Sequence, residues 1–350
     1  MRQSRKRDHL EHSAQLADGP GVTGFADVRL IHHCLPGLAW EDIDLATTVA
    51  GQTLPHPVII NAITGGASDV QTVNGALAEL ARRTGAVMAV GSQFAALEDP
   101  TVADSYKIVR QVNPDGILWA NLGAHATPDE ARRAVEMIGA SVIQIHLNVA
   151  QELIMPEGDR NFRGYLANIA AIISASSVPV IVKEVGCGIA REQARTLVEI
   201  GAAAIDVGGS GGTNFLAIEA ARAGGALSPD ALEWGIPTAV SALEVASVLP
   251  AGVDLIVSGG IRNSLDVVKG LALGGQAVAV AGPVVKLLQR EGLAAAETWL
   301  TDLLAGLKRF MLLSGAARVS ELSRVPLVIS GDSRDWLTAR GIDITKYATR

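Results

Sequence analysis

Near-continuous aliphatic runs recur along the chain between stretches of helical periodicity: "VIINAI" (58–63), "VMAVGS" (87–92), "ILWANLG" (117–123), "VIQIHLN" (142–148), "VIVKEVG" (180–186), "AIDVGG" (204–209), "LIVSGG" (255–260) and "AVAVAG" (277–282). Strands covered on both faces read this way, and each run leads through a polar or glycine-rich turn into a helix-like segment. Eight right-handed βα units are the number that closes a barrel, so the pattern predicts an α/β fold, a (β/α)8 TIM barrel, over 58–288. An open doubly wound sheet uses the same alternation, but the near-regular count favours closure.

Residues 1–57 lie outside the repeat as an N-terminal extension and 289–350 as a C-terminal helical tail, the whole of 1–350 reading as a single domain. In the tail, "LAAAETWLTDLLAGLKRFMLLSG" has amphipathic spacing and predicts a helix against the barrel wall. The longest gap follows the sixth run, where "GSGGTNFLAIEAARAGGALSPDALEWGIPT" predicts a long loop used as a lid or for binding.

Composition narrows the function. With 350 residues, 49% of them hydrophobic, the chain can bury a large core, and its net charge of −7 argues against nucleic-acid partners, which need a broad basic surface. Any anionic ligand must be met by local positive charge. Cys34 and Cys187 lack metal-type spacing and fit a reducing compartment. The charged start "MRQSRKRDHLEHS" is no secretory signal, and no uncharged run reaches the roughly 20 residues of a membrane span, so a cytoplasmic protein without a membrane partner is expected.

Candidate chemistry collects at the strand ends. In "SVIQIHLNVAQE" (141–152), side-chain alternation puts Gln144, His146 and Asn148 on one face and Ile143, Ile145 and Leu147 on the other. Helices cover a barrel from outside, so the aliphatic face belongs there and the polar set points inward, rising toward the C-terminal mouth where catalytic residues of this fold gather. Gln151 and Glu152 then open the loop above. The bland alternative is that His146 and Asn148 only satisfy each other or buried water. Other strand ends repeat the polarity: Asn61 and Thr64, Ser92 and Gln93, Asn121, and Lys183. A lysine inside a parallel strand is costly without an anionic partner or a cofactor, and Glu184 beside it should face the opposite way.

Runs seven and eight end in "SGGIRNS" and "AGP", where this fold commonly seats a phosphate on backbone N–H groups and a helix N-terminus. Gly259, Gly260 and Arg262 would form the cradle, with Ala281 and Gly282 beside it and a hydroxyl from Thr213, although the glycines around Thr213 could serve only mobility. With Lys183, Asn121 and the "NAITGG" backbone along its edges, the site describes flavin mononucleotide. A dinucleotide is disfavoured, since no run is followed by G-x-G-x-x-G with a downstream acidic residue.

In order along the chain, "RKRDHL", "ITGGA", "GSQ", "HLNVAQE", "VKEVG", "DVGGSGGTNF", "EWGIPT" and "SGGIR" together resemble the type 2 isopentenyl-diphosphate Δ-isomerases, FMN-dependent barrel enzymes, over nearly the whole length. The resemblance implies that Arg5 and Lys6, assisted by His9, bind the substrate diphosphate, that Asn148 and Gln151 contact the substrate in the pocket, and that Glu152 ligates Mg²⁺. It places flavin contacts on Ala62, Ile63, Thr64, Ser92, Asn121, Lys183, Thr213, Gly259, Gly260, Arg262, Ala281 and Gly282, and catalytic roles on Gln151, His146 and Lys183. Reduced FMN would move the proton, with NADPH needed only to reduce it, in a homotetramer or homo-octamer. Ile63 stands where the family often has methionine, and Phe94 has no assignment. Two rival readings are an FMN-dependent 2-hydroxy-acid oxidase, whose histidine base after the sixth strand has no counterpart in "VGGSGGTNF", and a phosphate-ligand sensor, which would not need polar residues at five strand ends.

Overall fold

The structure is a computed structural model that describes residues 21–63, 65–66, 70–225 and 228–350. Three strands precede the barrel: β1 (Val28–Leu30) and the hairpin β2 (Thr47–Val49) and β3 (Gln52–Leu54). The staves are β4 (Val58–Ile60), β5 (Val87–Ala89), β6 (Leu118–Gly123), β7 (Val142–Leu147), β8 (Val180–Glu184), β9 (Ala204–Asp206), β10 (Asp254–Ser258) and β11 (Ala277–Val280). All pair in parallel with their chain neighbours, and β11 returns to β4 through Val278↔Val58, Ala279↔Ile59 and Val280↔Ile60. That last pairing closes the ring and rules out the open sheet.

Alternation sorts the strand residues as barrel geometry demands. Ile60, Met88, Leu122, Ile143, Val182 and Val257 face the helices, while Ile59, Val87, Trp119, Val142, Ile181 and Ile256 fill the lower interior. The β2–β3 hairpin completes that lower layer: Val49, Ala50 and Leu54 are buried among the same interior residues and stopper the end opposite the mouth. Its two-residue turn, Ala50–Gly51, has φ of 49° and 75°, as a tight hairpin matching strand twist requires. Alanine rarely adopts this backbone. Here its methyl seals the floor, and its N–H donates to Asp254 Oδ2 at 2.7 Å.

The tail differs in part from its expected form. The helix Leu293–Ser314 buries Ala296, Leu300, Leu303, Leu307 and Met311 and packs on Ser264–Ala272 and Gly282–Glu291, the outer helical layer. Further on, β12 (Leu327–Ile329) pairs antiparallel with β1 and ties the tail to the N-terminal segment. A strand of three residues leaves no periodicity to detect. The segment after β9 is likewise not a plain loop: it holds the helix Phe215–Arg222, capped by Asn214 Oδ1 on the Ala217 N–H at 3.1 Å, and a short helix Pro229–Leu232. No described helix is long and apolar enough to cross a membrane.

Candidate active site

A cavity of about 550 Å³ opens at the C-terminal ends of the staves. Beneath it runs a chain of polar side chains that parallel register brings level, of which His146, Asn121, Asn61 and Ser258 border the cavity while Gln144 and Asp206 lie fully buried below. His146 Nδ1 lies 3.0 Å from Asn121 Oδ1, Asn121 Nδ2 donates to Gln144 Oε1 at 3.1 Å, and Gln144 Nε2 donates to Asn61 Oδ1 at 3.1 Å. Asn61 Nδ2 then donates to Asp206 Oδ2 at 2.7 Å, and the Ser258 hydroxyl donates to the other oxygen of Asp206. The inward set on β7 is therefore neither isolated nor merely self-paired. Sequence reading missed Asp206, whose place in "AIDVGG" looks like a strand-end turn.

Above the floor on the β7 side, Asn148 precedes the helix Val149–Ile154 and its Nδ2 donates to Glu152 Oε1 at 2.8 Å. Glu152 Oε2 accepts the Asp159 N–H at 2.9 Å. Gln151 Nε2 donates to Glu219 Oε1 at 2.6 Å, and Arg222 Nε holds Glu219 Oε2 at 2.7 Å. Glu219 is fully buried, on the helix Phe215–Arg222. It was invisible to sequence reading because its segment read as a loop, which assigns no face.

On β8, Lys183 is buried and its Nζ donates to the Glu184 carbonyl at 3.0 Å, standing in register between His146 of β7 and Asp206 of β9. Glu184 turns its carboxylate away from the lysine, onto the N–H groups of Val185, Gly186, Cys187 and Gly188 at 2.5 to 3.2 Å. Burial pushes its carboxyl up to about 7, against those donors and the Lys183 charge.

The opposite rim is built from glycine backbone. Gly259 and Gly260 have φ of 104° and 78°; a Cβ at Gly260 would lie 2.5 Å from the Gly211 carbonyl oxygen, and one at Gly259 would collide with the Gly209 carbonyl. These glycines are thus required for close approach between the loops after β9 and β10. The helix Gly282–Glu291 starts at this rim, with no side chain capping its first N–H groups, and Thr213 Oγ1 would sit 2.7 Å from a Cβ on Gly282. Arg262 lines the same wall, its Nη1 donating to the Ile261 carbonyl at 3.0 Å.

The residues to which the resemblance gave flavin, substrate, metal or catalytic roles, where they lie among the described residues, border this cavity: Ala62, Ile63, Ser92, Asn121, His146, Asn148, Gln151, Glu152, Lys183, Thr213, Gly259, Gly260, Arg262, Ala281 and Gly282. Arg5, Lys6, His9 and Thr64 lie outside the described residues. One expectation fails. Gln93 does not reach the mouth: its Nε2 donates to the Ala134 carbonyl at 2.8 Å and its Oε1 accepts the Asn121 N–H at 3.0 Å, so it braces β6 from behind. Phe94 is placed on the cavity wall, edge-on to His125 with ring centroids 4.6 Å apart.

This donor set fits flavin mononucleotide. An open helix N-terminus, a hydroxyl and a guanidinium beside bare glycine backbone suit a phosphate, while Ala62, Ile63 and Val185 give apolar wall beside the Lys183 ammonium. A closed (β/α)8 barrel with such a rim defines the class of FMN-dependent barrel enzymes. Residues 157–328 match the family described as FMN-dependent dehydrogenase. Solved structures of mandelate oxidase are similar in fold: one variant with benzaldehyde has a TM-score of 0.67 at 22% identity, covering 92% of this chain and 98% of that one. Another, with (S)-2-phenylpropionate, has 0.65 at 21%, covering 94% and 97%. Likeness at that identity speaks for architecture alone.

Curated relatives go further. The chain is 50% identical to the isopentenyl-diphosphate delta-isomerase of Symbiobacterium thermophilum, covering 100% of this chain and 99% of the relative. It is 47% identical to that of a Geobacillus species (100% and 99%) and 47% to that of Moorella thermoacetica (96% and 96%). The chain belongs to the isopentenyl-diphosphate delta-isomerase family, in its FMN-dependent form.

Proposed function

We propose that this mouth interconverts isopentenyl diphosphate and dimethylallyl diphosphate, placing a proton on the terminal carbon and removing one from C2 with no net oxidation. The observation that carries the reading is that the glycine-lined anion rim and the Gln151 side chain pinned by Glu219 share one cavity, in a chain with full-length isomerase relatives. An unactivated alkene is a poor base, so the site must hold the substrate over an acid, exclude water and stabilise developing positive charge. When bound, reduced FMN supplies the acid/base chemistry at the two carbons, with NADPH as its external reductant.

The chain's own residues do the rest. Gly259, Gly260, Thr213, Arg262 and the first turn of Gly282–Glu291 hold the flavin phosphate, and Lys183 places a positive charge at the cavity wall. Gln151 is oriented by Glu219, which accepts from its Nε2 and so leaves its oxygen for the substrate side. Arg5, Lys6, His9, Asn148 and His146 take the diphosphate. Glu152 supplies the carboxylate for Mg²⁺; among the described residues no group of three His, Cys, Asp or Glu is placed to hold a metal, so phosphate oxygens and water complete its shell. The protein works in the cytoplasm as a homotetramer or homo-octamer, which light scattering tests.

The deciding experiment supplies isopentenyl diphosphate, FMN, NADPH and Mg²⁺ and follows dimethylallyl diphosphate. Product in large excess over NADPH oxidised supports the isomerase. No product from flavin-loaded protein, or oxidation of a 2-hydroxy acid instead, overturns it.

A further inference from the structure

Residues 21–25 run against the glycine rim without bordering the cavity themselves. Two of their carbonyls are pinned: that of Thr23 accepts the Ala239 N–H at 2.8 Å, and that of Phe25 accepts Nζ of the buried Lys269 at 2.6 Å. Between these anchors the Thr23 hydroxyl accepts the Phe25 N–H at 3.3 Å, a local turn that fixes χ1 of a β-branched side chain and so directs its methyl. The methyl points between two loops. A Cβ on Gly211, after β9, would lie 2.7 Å from it, and one on Gly260, after β10, would collide with it.

We propose that Thr23 is a positioning residue for the flavin phosphate: its methyl, wedged between Gly211 and Gly260, sets the spacing of the two loops that form the phosphate rim. The inference rests on the reading of that rim as the phosphate site. Gly260 and Thr213 border the cavity and Thr23 does not, so the threonine acts on a phosphate only through the backbone it supports. Neither glycine has a side chain to fill the space between the loops, and the Thr23 methyl takes that place. Without it the loops relax into the void, carrying their N–H groups along. A cradle of backbone donors works only when they are held to within about 0.5 Å, so a shift of this kind weakens the hold on the phosphate. The apolar walls offered to the flavin ring, Ala62, Ile63 and Val185, belong to other loops and stay where they are.

Riboflavin differs from FMN only in lacking the phosphate, so the ratio of the two dissociation constants isolates what the rim contributes. Fluorescence titration of the full chain, stripped of flavin, reads both constants in wild type, Thr23→Ser and Thr23→Val. The serine variant keeps the hydroxyl and loses the methyl, and the valine variant does the reverse. Thr23→Ser should lower the preference for FMN about threefold to tenfold, the scale of one lost packed methyl, with riboflavin binding unchanged. Thr23→Val should keep the wild-type preference. A single methyl on a half-buried side chain is too small a loss to unfold the barrel, and unchanged riboflavin affinity verifies this. Full preference for FMN in Thr23→Ser, equal weakening of both flavins, or an equal fall in Thr23→Val overturns the role of Thr23 and leaves the rim standing. A wild-type protein that binds the two flavins equally well overturns the rim as phosphate site, and this proposal with it.

Discussion

Gln151 Nε2 donates to Glu219 Oε1 across 2.6 Å, joining the helix after β7 to a helix in the long segment after β9. Glu219 is fully buried and held on its second oxygen by Arg222, whose Nη2 also meets Glu157 at 2.6 Å. A side chain on the cavity wall is thus held by a buried carboxylate that does not itself border the cavity.

Replacing Glu219 with Gln removes the charge from that bond and lets the Gln151 amide turn over. A charge-assisted hydrogen bond contributes about 1.5–3 kcal/mol, so kcat should fall roughly 10- to 100-fold while flavin absorbance stays normal. Steady-state kinetics beside the visible spectrum check this, and an unchanged kcat would deny Glu219 the role.

Glu152→Gln should raise the Mg²⁺ concentration needed for half-maximal rate and depress turnover, leaving flavin bound. Both oxygens of Glu152 already accept, from Asn148 and from the Asp159 N–H, so the variant keeps one contact and sets an amide nitrogen against a donor at the other. A magnesium titration of the rate is the measurement; wild-type activity at low magnesium counts against metal binding there.

Gly260→Ala tests the rim. At φ 78°, with the new methyl 2.5 Å from the Gly211 carbonyl oxygen, the loop must shift, at a cost of about 1–3 kcal/mol from the backbone alone. FMN affinity should drop at least about tenfold, and fluorescence titration reads it. Wild-type affinity would mean the phosphate sits elsewhere.

Glu184 gives a pH dependence. Its folded pKa is raised, by burial, to about 7 from an ordinary 4.5, so the native state binds the extra proton between those values. Its contribution to stability is therefore full below about 4.5 and is lost as pH rises through about 7. Melting temperatures of wild type and Glu184→Gln, compared across that window, should diverge in slope, with the variant flatter; parallel curves reject the raised pKa.

The barrel was legible because a parallel strand buried on both sides has almost no choice but aliphatic residues, and each of the eight runs became a stave. The inward polar set was legible for a related reason: His146 and Asn148 break the aliphatic rule at a strand end, and both border the cavity. What escaped depends on contacts distant in sequence. Gln93 looked like a mouth residue by position, yet its side chain turns to the Ala134 carbonyl and the Asn121 N–H. Glu219 and Asp206 carry no local mark, since each is defined by the partner it meets across the barrel. The hairpin of β2 and β3 was hidden by its Ala50–Gly51 turn, which lacks the asparagine or aspartate that usually announces one.

That hairpin also fixes the traffic. With Val49, Ala50 and Leu54 corking the far end, the cavity among the described residues opens at the C-terminal ends of the staves. On the proposed reading, reactant and product therefore share one route, and the product has to clear it before the next reactant can enter.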